Sequence, residues 1–272
     1  MTFSSQDYPT PRSGVLKAGG IHPFAPHVRS IDVIRAEDDY VAAPESVPMD
    51  QVTLHAPIRP HMIVAIGKNY ADHASEMASE APDHPLIFSK FPSAITGHRH
   101  EINWRTSITH EVDWEGELGV VIGKTAKDVG EADALDYVFG YTVANDVTAR
   151  DLQKRIDKQW TRGKSLDTFC PIGPVIVTRA DVDNPQNLDV TTTINGDVMQ
   201  QGNTADMLFS IPYLVSYCSQ MFTLRAGDLL LTGTPAGVGA GRKPPVFLKD
   251  GDEVTVTIDS IGTLTNTCRT LD

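Results

Sequence analysis

From residue 61 onward the chain repeats one pattern: short apolar runs rich in β-branched residues, closed by Gly, Pro, Asn or Asp. Runs of this kind form strands, and apolar stripes at helical spacing are few. The pattern predicts a buried strand over Met62–Ile66 that turns at Gly67 into a helix-like segment. Further strands are expected in PLIFSK, ending at Lys90, in Val120-Val121-Ile122, just ahead of Asp146, and up to about Val177. Asn195-Gly196 marks a hairpin, because both residues tolerate the positive φ that a tight two-residue turn requires. Alternating strands close the chain around Asp250-Gly251 and Ile261-Gly262. Helices are expected over Glu131–Tyr137, from about Thr148 to Asp157, and after Ser210. That serine caps a stripe of Ile211, Leu214, Val215, Cys218 and Met221. Residues 1–30, rich in Pro, Gly, Ser and His, predict an irregular or partly disordered arm. Strand-like pieces (SIDVIRA, QVTLHAP) follow, up to about Pro60. The expected organisation is an N-terminal arm and small subdomain over 1–56, then one main domain over 57–272.

Candidate chemistry enters at the Val120 strand. Just ahead of it stand Glu115 and Glu117, two apart, so a strand points both carboxylates the same way. Two like charges that close cost energy unless one is protonated or a cation lies between them. A second strand delivers Asp146 at its end. Three carboxylates on two strands make an all-oxygen site suited to Mg²⁺ or Mn²⁺. His73 and Glu76 are three apart, on one face of a helix, and an imidazole beside a carboxylate is the arrangement of a general base. Arg150 and Gln153 fall one turn apart, and Lys164 is expected in a loop ahead of a strand. Thr232 and Thr234 sit in a Gly-rich turn that fits neither nucleotide-binding glycine pattern.

The remaining composition narrows the choice. The 272 residues carry 23 Lys and Arg against 35 Asp and Glu, a net charge of −12. That balance argues against a nucleic-acid partner. Cys170, Cys218 and Cys268 are odd in number and form no C-x-x-C pair, which predicts neither disulfides nor a zinc site. With no signal-peptide pattern and no eighteen-residue apolar run, the expected setting is cytoplasmic, with no membrane partner.

Seven blocks in this order resemble the fumarylacetoacetate hydrolase family: IGKNYADHASEM, FSKFPSAITG, DWEGELGVVIGK, GYTVANDVTARDLQ, QWTRGKSLDTFCPIGP, LTGTPAGVG and GRKPPVFLKDGDEV. The KFPSA and RKPPVFLKDGDEV stretches are most similar to the domain-containing subgroup of that family. The resemblance implies an α+β fold, mostly β: a mixed β-sandwich roll with few helices plus a small N-terminal region, paired as a homodimer. It implies one Mg²⁺ or Mn²⁺ per subunit, held by Glu115, Glu117 and Asp146. It also implies a His73–Glu76 dyad in a lid over 70–84 that orders on substrate. Lys164 is implied as a third catalytic group, and Lys90, Arg150, Gln153 and Thr234 as substrate-binding residues. Lys68, where many relatives have Arg or Leu, and Phe91, where Pro is commoner, depart from the pattern near the expected pocket. The implied activity acts on 2-oxo acids or 1,3-dicarbonyl compounds through a metal-stabilised enolate. Hydrolytic C–C cleavage of an acylpyruvate is favoured because the His–Glu pair is intact. Oxaloacetate tautomerisation or decarboxylation, 2-hydroxymuconate-type isomerisation, and a non-enzymatic binding role are the alternatives.

Overall fold

The structure, a computed structural model, describes residues 1–36, 40–76, 80–156 and 159–272. Its first strands are β1 (Thr2–Ser5), β2 (Arg12–Lys17), β3 (Gly20–Pro23), β4 (Val47–Pro48) and β5 (Val52–His55). They form one five-stranded sheet in the order β4-β3-β2-β1-β5. The irregular arm expected over 1–30 is therefore largely sheet: Phe3, Ile21, Val47 and Leu54 make a small core of their own. SIDVIR, expected as a strand, is helix α1 (Ser30–Arg35). Its start is fixed by Asp32, whose carboxylate accepts the Arg29 amide at 2.9 Å, satisfying a donor that helix starts leave free.

The body begins with β6 (Ile63–Gly67), helix α2 (Ala71–Glu76) and β7 (Leu86–Lys90). Short strands β8 (Ile95–Thr96), β9 (Glu101–Trp104) and β10 (Val112–Asp113) lead to β11 (Gly116–Ile122), β12 (Val138–Asn145) and β13 (Thr148–Ala149). Helix α3 (Trp160–Lys164) precedes β14 (Cys170–Thr178), β15 (Asp189–Ile194) and β16 (Asp197–Asn203). After helix α4 (Ile211–Met221) come β17 (Leu229–Leu231), β18 (Glu253–Ile258) and β19 (Gly262–Thr270). Seven strands pair as β7-β6-β17-β11-β12-β14-β8, and five more as β16-β15-β18-β19-β9.

β11 lies inside the larger sheet and is buried along its whole length. Its alternate residues Leu118, Val120 and Ile122 join the main core with Val190, Val256 and Ile258 of the second sheet and Leu214 and Val215 of α4. Val121, pointing the other way, packs with Ile63, Ala65, Leu229 and Leu231. Sheet-on-sheet packing with one helix at the side is the architecture that the family resemblance implies.

Three local expectations differ. The helix expected from Thr148 begins instead as β13 and continues as a single π turn over Leu152–Ile156; its end at 157 lies outside the described residues. Lys164 ends helix α3 rather than lying in a loop. In α4 the Ser210 hydroxyl does cap, accepting the Tyr213 amide at 3.3 Å, but Met221 is half exposed and leaves the stripe. The three cysteines are free and buried. Among the described residues no helix is long and apolar enough to cross a membrane.

Candidate functional site

β11 and β12 run antiparallel, with Gly116 opposite Asn145 and Glu117 opposite Ala144. One step further, the Asp146 amide donates to the Glu115 carbonyl at 2.9 Å. Strand alternation places Glu115 and Glu117 on the face that carries Val121, and Asp146 on the face that carries Ala144. The three buried carboxylates consequently converge, each offering an oxygen within 4.8 Å of the others.

Cations surround them. Lys90 Nζ, from the end of β7, donates to Asp146 Oδ1 at 2.5 Å and to the Val147 carbonyl at 3.2 Å. Lys164 Nζ donates to Glu115 Oε2 at 2.5 Å and Asp146 Oδ2 at 2.7 Å, and stands 5.1 Å from the Phe88 ring centre. Arg150 bridges Asp113 Oδ2, at 2.7 Å, and Glu115 Oε1, at 2.6 Å, and its Nη1 reaches Gln153 Oε1 at 3.2 Å. Four buried carboxylates thus meet three buried cations, one positive charge short. Burial pushes the Glu115 carboxyl upward, but the Lys164 and Arg150 charges outweigh it and hold the group well below the usual range. Burial pushes Glu117 well above that range, and the Asp146 and Glu115 charges add to the rise. Lys164 stays raised because Asp146 and Glu115 outweigh the burial that opposes its charge. An all-oxygen donor set with one uncompensated carboxylate fits a hard divalent cation.

The Gly-rich turn after β17 holds the site with main-chain amides. Gly233 donates to Glu117 Oε2 at 2.9 Å, and Gly237 donates to both oxygens of Glu76 at 3.1 and 3.0 Å. Gly239 and Ala240 donate to Asp113 at 2.7 and 3.1 Å. Gly233 and Gly237 have φ of +98° and +106°, and a Cβ at Gly237 would lie 2.1 Å from the Met199 carbonyl oxygen. At Gly233 and Gly237 glycine alone adopts this backbone without strain, which turns the amides of the segment inward.

His73, on α2, is buried, and its Nδ1 lies 3.6 Å from Glu76 Oε2 without a hydrogen-bond partner. Burial raises the Glu76 carboxyl, while the His73 ring and the Gly237 amide together outweigh it and hold the group below its ordinary value. Of the lid expected over 70–84, residues 77–79 lie outside the described residues; α2 is formed, and His73 faces the cleft.

That cleft is small, with about 50 Å³ of accessible space. His73, Glu115, Glu117, Arg150, Gln153, Lys164 and Thr234 line it, with Ile66, Phe88 and Trp160 as an apolar wall. Lys90 and Asp146 do not line it; the Lys90 ammonium is committed to Asp146 and a carbonyl, so it stands as a support for the carboxylate. The Thr234 hydroxyl is likewise engaged, donating to the Gly116 carbonyl at 2.9 Å and accepting from Gln200 Nε2 at 2.7 Å. Phe91 is 56% exposed and outside the cleft wall, contrary to expectation. Asp113, Gln200, Lys154 and Trp160 were not singled out from the sequence. Asp113 stands inside the same acidic motif, but its role depends on Arg150 and on amides more than a hundred residues away.

A curled, strand-rich fold with a buried carboxylate cluster beside a His–Glu pair is the class that this geometry defines. Residues 62–269 match the family model described as "Fumarylacetoacetate (FAA) hydrolase C-terminal". The chain belongs to the fumarylacetoacetate hydrolase family. It is 52% identical over 222 residues to the Bacillus subtilis oxaloacetate tautomerase YisK, covering 80% of this chain and 73% of that protein. A fumarylacetoacetate hydrolase structure from Exiguobacterium antarcticum superposes with a TM-score of 0.90 at 41% identity, covering 99% of this chain and 98% of that one. A 2-hydroxyhepta-2,4-diene-1,7-dioate isomerase from Mycobacterium marinum gives 0.82 at 39% identity, covering 99% and 97%.

Proposed function

We propose that the protein interconverts the enol and keto forms of a 2-oxo acid at a site where Glu115, Glu117 and Asp146 hold one Mg²⁺ or Mn²⁺. The observation that carries this reading is the buried carboxylate cluster opening into the cleft that His73 also lines. The names of the Bacillus subtilis tautomerase and the Mycobacterium marinum isomerase support enol–keto chemistry, and that of the Exiguobacterium antarcticum structure supports hydrolysis; the tautomerase, at 52% identity, weighs most. When bound, the cation supplies Lewis-acid polarisation of the 2-oxo group.

The chain's own residues do the rest. Ketonisation removes the enol O–H proton and adds one proton at C3, so no water is consumed. His73, kept in place over Glu76, is the group that moves a proton at the cleft wall. Lys164, charged and buried between Glu115 and Asp146, stabilises negative charge developing on the substrate oxygen. Arg150 and Gln153 orient the substrate carboxylate, and the Ile66–Phe88–Trp160 wall excludes water.

Hydrolytic cleavage of an acylpyruvate is the second reading, favoured by the same His73–Glu76 pair, which could take a proton from water. Enol absorbance of oxaloacetate, followed beside acetylpyruvate cleavage with Mg²⁺, with Mn²⁺ and with EDTA, tests both. Metal-dependent ketonisation with acetylpyruvate left intact is the expected result. Acetylpyruvate turnover alone would replace the first reading with the second. Pairing as a homodimer and a cytoplasmic, reducing setting belong to the same proposal; the three unpaired buried cysteines support the reducing setting alone. Light scattering of the purified protein checks the pairing.

A further inference from the structure

Two lysines outside the carboxylate cluster line the same cleft. Lys68 is half-buried and Lys154 exposed, whereas Glu115, Glu117, Arg150 and Lys164 are buried, so the pair stands at the mouth. Among the described residues neither ammonium has a carboxylate in ion-pair range. Lys154 extends from the π turn that also carries Gln153, and such turns recur where a helix is re-aimed for function. Lys68 has φ of +58°, a conformation that costs an L-residue energy. It follows Gly67, at which a Cβ would lie 2.5 Å from the Trp160 ring. The left-handed residue and the tryptophan together fix this rim of the cleft.

Like charges across a cleft repel and are disfavoured unless an anion joins them. The Lys154 ammonium shows the tension: although the residue as a whole is exposed, partial burial of its charged end, then Arg150 and Lys68, hold its pKa below the ordinary lysine value despite the opposing pull of Glu115 and Asp113. The inner cluster, one positive charge short, accepts a divalent cation, and the net charge that then results is balanced by a single substrate carboxylate. The two mouth lysines are surplus to that balance.

We propose that Lys68 and Lys154 bind the second carboxylate of a 2-oxo dicarboxylic acid and so determine preference for dicarboxylates over monocarboxylic 2-oxo acids. The proposal rests on the reading that the other end of the substrate is held at Glu115, Glu117 and Asp146. It assigns specificity to two residues that the metal site and the acid–base pair leave unused. Trp160 and Phe88, in edge-to-face contact with ring centres 5.4 Å apart, wall the short apolar span between the two ends.

The test is calorimetric binding to the Mg²⁺-loaded protein with three probes. Oxalate can engage only the inner end, 2-oxobutanoate has one carboxylate, and oxaloacetate has two with the same carbon count. Wild type should prefer oxaloacetate to 2-oxobutanoate. Lys68→Gln and Lys154→Gln should each weaken oxaloacetate by roughly 10- to 100-fold, the size of a lost charge-assisted hydrogen bond, with oxalate affinity kept. Lys154→Arg should retain the preference. Equal loss for all three probes would make the lysines general attractors of anions and overturn the proposal, as would an unchanged preference in the Gln variants. Failure of the wild type to bind oxalate with Mg²⁺ would instead overturn the reading of the carboxylate site, and the proposal with it.

Discussion

Lys164 Nζ lies 2.5 Å from Glu115 Oε2, between side chains that are 2% and 6% exposed. The same ammonium touches Asp146, so a single cation neutralises two buried carboxylates. Lys164→Met removes that charge and leaves both uncompensated. Loss of one partner of a buried pair costs about 3–5 kcal/mol. Urea unfolding should show a loss of this size without metal and a smaller one with saturating Mg²⁺, because the divalent ion then compensates the carboxylates. A loss independent of Mg²⁺ would count against a cation site at this cluster.

Glu117→Gln tests the opposite imbalance. The amide oxygen can still accept the Gly233 N–H, and the charge with least compensation disappears. Stability without metal should be equal to or above that of wild type, while the rise in Tm on adding Mg²⁺ or Mn²⁺ should vanish. Thermal unfolding with and without each metal measures both. A wild-type shift in the variant would remove Glu117 from the ligand set.

His73→Ala should slow oxaloacetate ketonisation by about 10²–10⁴-fold, the usual range for a positioned acid–base group. The Mg²⁺-induced rise in Tm should persist, since His73 is no ligand in the proposal. Unchanged turnover would transfer the proton to another group, with Lys164 next in reach of the cleft.

Gly237→Ala meets two obstacles at once. Its φ of +106° suits glycine, and the new Cβ would stand 2.1 Å from the Met199 carbonyl oxygen. Backbone strain of this kind costs on the order of 1–3 kcal/mol, and the clash adds to it. Because the Gly237 amide holds Glu76, ketonisation should fall as far as it does in Glu76→Ala. Chemical denaturation and kinetics on both variants check the pair of effects.

His55 links the N-terminal sheet to the body: its Nε2 lies 2.8 Å from Ser4 Oγ, and its ring centre is 5.4 Å from that of His100. Burial first, then the charges of His100 and Arg59, depress its pKa below 6.5. A histidine depressed in the folded state favours the neutral ring, so stability is full above pH 6.5 and declines as pH falls through the lower folded value. His55→Gln should flatten that part of the decline. Urea unfolding from about pH 8 to about pH 5 follows it.

What the sequence disclosed depended on how local the cause was. Glu115 and Glu117 were legible as a pair because alternation along a strand is set by the backbone alone. Their partner Asp146 was legible because an apolar strand visibly ended there. Lys90 was legible as a residue but not in its task, which depends on β7 pairing with β6 and on the reach from there to Asp146. Asp113 was invisible as an anchor, since its partners Arg150, Gly239 and Ala240 are gathered only by the finished fold. The N-terminal strands were obscured by Pro and Gly, which strands tolerate at edges and ends. In SIDVIR, three β-branched residues masked a helix whose deciding feature is a single carboxylate, that of Asp32.

The amides of Gly233, Gly237, Gly239 and Ala240 grip Glu117, Glu76 and Asp113, and Asp113 in turn grips Arg150. Because main-chain groups do the gripping, no side-chain truncation within the turn can delete them one at a time. A shift of the turn moves Glu76, Glu117 and, through Asp113, Arg150 together. Substitutions that displace it will therefore be strongly epistatic with those at Glu76, Glu117 and Arg150. A double-mutant cycle between Gly237→Ala and Arg150→Lys, whose side chains share no contact, should return a coupling free energy well away from zero.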